Sequence, residues 1–159
     1  MRHLVLSIGL GALALSGCVY VSGGHGTYKD ADVEETTSYD PDVAAIEAVI
    51  LDYFDGQGEA SLERLQRAFD SKASMYGVVT DDAGQQSIRV WPMDETMQAW
   101  ASNDDPVGAG RDGEVLSIEI VDSRLAVATF RYEDRFYDAF TLVKVNGAWK
   151  IAAKTFVRQ

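Results

Sequence analysis

From Phe136 to Val157 apolar and polar residues alternate on either side of Asn146-Gly147, in the order FYDAFTLVKVNGAWKIAAKTFV. An Asn-Gly pair between alternating runs predicts a two-residue hairpin, because a type I′ turn needs positive φ at both central positions. Pairing outward from that turn sets Lys144 opposite Trp149, Leu142 opposite Ile151, Phe140 opposite Ala153, Asp138 opposite Thr155 and Phe136 opposite Val157. Side chains alternate with period two, so these residues share one face, an apolar wall with a single carboxylate, Asp138, set in it. Tyr137, Ala139, Thr141, Val143, Lys150, Ala152, Lys154 and Phe156 then fall on the other face.

The preceding chain changes period. Asp40 as N-cap, Pro41 at the first helical position and Asp42 in the first turn predict a helix start. Val43, Ile46, Val49, Ile50, Tyr53 and Phe54 recur at spacings of three and four, which makes one apolar stripe, and Gly56 and Gly58 end it. A second helix is expected at about Glu59 to Phe69. Strands follow at Ser74 to Val79 and Ser87 to Trp91 around an Asp81-Asp82-Ala83-Gly84 turn, then a third helix at Pro92 to Ala101 and a loop over Asn103 to Gly113. Val115 to Val121 and Leu125 to Tyr132 are strands, before the closing hairpin. This order predicts an α+β domain with helices gathered on one face of a curved antiparallel sheet.

The first 40 residues follow neither period. Arg2 precedes a 12-residue apolar run, Leu4 to Leu15, too short to span a bilayer, and Leu15-Ser16-Gly17-Cys18 follows. This stretch resembles the signal and lipobox of bacterial lipoproteins, which implies cleavage before Cys18 and its acylation, with thioether-linked diacylglyceryl and an N-acyl chain such as palmitate. Cys18 is the only cysteine, so no disulfide within the chain competes for the thiol. Residues 1–17 are therefore expected to be a signal peptide, 18–40 an acylated cysteine with a flexible acidic tether, and 41–159 the domain. A tether of this length reaches roughly 25 Å. The expected location is the cell envelope. Val19 rather than an aspartate after the cysteine implies, by the same resemblance, the outer membrane facing the periplasm in a Gram-negative cell.

A formal charge of −11, one unit more negative without Arg2, opposes nucleic acid as a partner. Outside the leader the only histidine is His25, in the tether, and the acidic pairs Asp81-Asp82 and Asp104-Asp105 lack the alternating ligand spacing of a calcium loop. No metal or cofactor is expected.

The element order, with YFDGQGEASLERLQRAF at 53–69 and FTLVKVNGAWKIAAKTF at 140–156, resembles the nuclear transport factor 2-like superfamily. More narrowly it resembles the bacterial group described as putative lumazine-binding, from about Asp42 to the C-terminus. The resemblance implies a cone, a strongly curved sheet around a pocket with the helices closing its mouth. It also implies a homodimer through the outer sheet face in many members. By alignment of the closing hairpin, Asp138 resembles the pocket acid of ketosteroid isomerase-like members. The position of their base falls near Tyr76-Gly77, neither of them an acid, and the position of their oxyanion tyrosine falls nearer Leu51 than Tyr53.

The expected pocket therefore takes Asp138 with Phe136, Phe140, Trp149 and Thr155 from the hairpin wall, and Tyr53, Tyr76 and Trp100 from the elements over it. Asp138 is either a pocket acid or a buried acid satisfied by Thr155, Tyr76 or backbone. With no histidine or cysteine in the domain and no second acid in place, a binding module for a small apolar or aromatic ligand, or for a protein partner, is preferred to an isomerase- or cyclase-type enzyme using Asp138.

Overall fold

A computed structural model describes residues 40–106 and 111–159. The expected signal peptide, Cys18, His25 and all but the last residue of the expected tether lie outside the described residues. α1 runs Pro41–Gly58, α2 Leu62–Ala68 and α3 Met93–Ala101, with strands β1 Phe69–Thr80, β2 Gln86–Pro92, β3 Gly113–Asp122, β4 Leu125–Tyr132, β5 Phe136–Val145 and β6 Ala148–Arg158. Among the described residues no helix is long and apolar enough to cross a membrane.

Asp40 caps α1 as expected, its carboxylate accepting from the Asp42 amide at 2.9 Å, and the helix buries Ile46, Ile50, Tyr53 and Phe54. It runs past Gly56 and ends at Gly58. α2 begins later than Glu59 because Glu59 still caps α1, Ala60 adopts a left-handed φ of 53°, and Ser61 becomes the new N-cap. Arg64 bridges the two helices by reaching Asp52, Asp55 and Glu59, while Arg67 also reaches Asp52. These partly exposed pairs orient the helices more than they stabilise them, at about 0–1 kcal/mol each.

The six strands form one sheet in the order β2-β1-β6-β5-β4-β3. Every seam is antiparallel except β1 with β6, which is parallel, so the expectation of a wholly antiparallel sheet is corrected at that seam. The helices cover the concave face, where Met93 and Met97 of α3 join Phe130, Phe140, Leu142 and Ile151 in the core. The Asn146-Gly147 turn has positive φ at both residues, 52° and 83°, as a type I′ turn requires.

The hairpin register departs from simple alternation. Lys144 pairs with Trp149 and Leu142 with Ile151, but Thr141 then pairs with Ala153, which leaves Ala152 as an extra residue on β6. A bulge of this kind bends the strand and reverses the facing of everything beyond it. Phe140 therefore lies opposite Lys154, and Asp138 opposite Phe156. The expected pairs Phe140 with Ala153, Asp138 with Thr155 and Phe136 with Val157 are not formed. β1 carries its own irregularity between Phe69 and Ser74 beside the same stretch of β6, so both strands bend together.

Candidate functional site

β5 presents Phe136, Asp138 and Phe140 to the concave side, and Asp138 is almost wholly buried at 2 % exposure. Beyond the bulge, Lys154 turns to the same side and is 4 % exposed, which corrects its expected outward position. Its Nζ lies 2.9 Å from Asp138 Oδ1. The contact is an ion pair, and Oδ1 receives no hydrogen bond from any described group. Tyr53, from the fourth turn of α1, donates its phenol proton to Asp138 Oδ2 at 2.9 Å. The donors expected for Asp138 from Thr155 or Tyr76 are thus replaced by the Tyr53 phenol, with the Lys154 ammonium as counter-charge.

Burial, and then the Asp138 carboxylate, hold the Tyr53 phenol well above its ordinary value of 10.0. Burial lowers the hold of Lys154 on its proton, against the opposing pull of Asp138. The ammonium also sits over the rings of Phe156 and Tyr53, at 4.8 and 5.2 Å, which partly replaces lost water.

A cavity of about 190 Å³ opens above this group, walled by Met75, Trp100, Tyr132, Phe136 and Phe156, with Tyr53, Asp138 and Lys154 among its lining residues. Gln57, Trp100 and Tyr132 are shared with a second hollow of about 390 Å³, where Arg111 and Asn103 are added. Arg111 stacks on Phe54 at 4.0 Å and donates to Tyr132 Oη at 2.9 Å and to the Phe54 carbonyl. It thereby fastens the described chain after Pro106 to the last turns of α1. Among the described residues Asp138 is the only carboxylate lining the 190 Å³ cavity, and no cluster of three histidine, cysteine or acidic side chains could hold a metal.

The sequence profile of the putative lumazine-binding family matches residues 41–157. The chain belongs to this family.

Solved structures similar to this member of the putative lumazine-binding family include a nuclear transport factor 2-like protein of unknown function from Shewanella baltica. It is 25% identical at a TM-score of 0.63, over 77% of this chain and 97% of that one. A second such protein of unknown function, from Methylobacillus flagellatus, is 24% identical at 0.60, over 74% and 92%. A ketosteroid isomerase-like protein from Erwinia carotovora atroseptica shares the fold at 16% identity and 0.53, over 76% and 98%. Among curated proteins, none matches the chain.

Of the residues expected at the pocket of this family member, Tyr53, Trp100, Phe136 and Asp138 line the cavity together. Phe140 lies beneath it in the core, edge-on to Tyr53 at 5.7 Å. Trp149 is buried further along the hairpin, its indole donating to Asp42 at 3.1 Å. Thr155 and Tyr76 pair with each other across the parallel seam and face the outer side of the sheet, which corrects their expected inward position. The pocket tyrosine is Tyr53, while Leu51 is 44 % exposed. At the position of the isomerase-like base, Gly77 carries the Phe156 ring, and a Cβ there would lie 2.6 Å from that ring. Lys154, Phe156, Gln57, Tyr132 and Arg111 were not anticipated at the site.

Proposed function

We propose that this protein is a lipid-anchored envelope protein whose cavity binds a small apolar or aromatic ligand without turning it over. The observation that carries this reading is the cavity itself, apolar on its walls with a phenol, a carboxylate and an ammonium grouped at one place. The family's description names lumazine, and a flat ring with a few polar edges suits such a lining. The leader and Cys18 support the anchor, on the outer membrane facing the periplasm. The outer sheet face, with Val78, Ile88 and Val90 exposed, is assigned to a homodimer, which sedimentation of the protein would test.

The alternative is an isomerase- or cyclase-type enzyme with Asp138 as pocket acid, favoured by the Tyr53 to Asp138 hydrogen bond. Proton abstraction by such an enzyme also needs a base, and among the described residues no second carboxylate and no histidine lines the cavity. Binding is therefore preferred. Native mass spectrometry of the protein purified from its own host's envelope in mild detergent tests it. A retained small molecule is expected, lost when Trp100 is replaced by alanine. A protein that emerges bare, and stays bare when offered host extract, overturns the binding reading.

A further inference from the structure

We propose that Lys154 captures its ligand covalently, its amine condensing with an aldehyde or ketone carbonyl to form an imine, with Asp138 carrying the protons. This rests on the cavity being a ligand site and names the ligand's reactive group.

The lysines of the described chain divide by surroundings. Lys144 is paired with Asp42 at 2.6 Å, Lys150 donates to the Gln66 and Arg67 carbonyls at the end of α2, and Lys72 is exposed. Lys154 is the buried one among them, and it lines the 190 Å³ cavity. Methionine, phenylalanine and tyrosine side chains surround it, with Met75 Sδ at 3.9 Å and two aromatic rings within about the cation-π distance. A lysine desolvated in an apolar pocket is the setting in which an amine becomes a nucleophile near neutral pH. Burial lowers its proton affinity in keeping with that setting.

Asp138 supplies the second requirement. Its Oδ1 is 2.9 Å from the amine and receives no hydrogen bond from a described group, so it is free to take a proton from Nζ and return it. Tyr53 holds the other carboxylate oxygen and so fixes the orientation of the acid. The proton first passes from the ammonium to Asp138. The free amine attacks the carbonyl carbon as Asp138 protonates the carbonyl oxygen, giving a carbinolamine. The nitrogen then returns a proton to Asp138, which passes it to the hydroxyl. Water leaves, the C–O bond breaks, and a protonated imine remains beside the Asp138 carboxylate. One ammonium and one carbonyl compound become one iminium and one water, with no change of net charge and no oxidant or reductant. Hydrolysis reverses the capture.

Benzaldehyde with sodium cyanoborohydride, applied to the full chain in detergent, tests this. Peptide mapping should find Lys154 alkylated about tenfold or more faster than Lys72, saturably, with benzyl alcohol competing and Lys154→Arg silent at that site. Benzyl alcohol binding at the cavity, read from the Trp100 indole signal, without preferred labelling of Lys154 would overturn the covalent step alone. Absence of both binding and labelling would overturn the ligand-site reading with it.

Discussion

Asp138 and Lys154 approach to 2.9 Å because Ala152 is an extra residue in β6; without it, strict alternation would place the amine on the opposite face of the sheet from the acid. Both groups are almost wholly buried, so each is the other's main compensation for lost water. Lys154→Met is expected to cost about 3–5 kcal/mol by stranding the carboxylate, whereas Asp138→Leu combined with Lys154→Met should recover most of that loss. Urea unfolding of the two single variants and the double variant measures it. A double variant no better than the singles would show that the pair does not act as a unit.

Tyr53 gives a pH dependence with a definite sign. Its phenol is held protonated in the folded state well above 10.0, so the associated stability is fully present below pH 10 and is lost as pH rises further through the folded value. Tyr53→Phe removes the donor to Asp138 and should cost about 1–3 kcal/mol at neutral pH. The gap between wild type and this variant should narrow above pH 10. Denaturant titrations across that range check it; a gap constant with pH would contradict the assignment.

Gly77→Ala places a methyl group 2.6 Å from Phe156 and must drive the ring toward the cavity. Overpacking of this kind costs about 1–3 kcal/mol. The larger effect should be on ligand retention in native mass spectrometry, because Phe156 is a cavity wall. A crystal structure of the variant with the ring unmoved would refute this account.

Cys18→Ser should leave the precursor uncleaved and unacylated in its own host. Gel mobility and intact mass of the membrane fraction report both. Normal processing of that variant would remove the lipobox reading.

The elements were legible where local chemistry is decisive. The N-cap of α1, the β4 limits Leu125 and Tyr132, and the type I′ turn each follow from residues within a few positions of one another. The facing of β6 was not legible, because Ile151-Ala152-Ala153-Lys154 holds two alanines that suit either side of a sheet, and a one-residue slip there leaves no break in polarity. Thr155 was thus placed inside and Lys154 outside, the reverse of what the structure shows. Gln57, Arg111 and Tyr132 converge from positions 54 and 21 residues apart, across elements whose docking no short-range pattern encodes. Asp138, by contrast, stood out in the sequence as one acid between two phenylalanines, and its burial follows from that flank.

The axis of α1 gives the domain two poles. At one, Asp42 accepts from both Lys144 and Trp149 beside the Asn146-Gly147 turn; at the other, Gln57 borders the cavity. The helix between them is eighteen residues long, roughly 27 Å. Any pull from residues before 40 would therefore enter beside the closing hairpin, at the pole away from the cavity. Under the proposed anchoring through Cys18, the cavity would thus be mechanically insulated from the pull of the anchor.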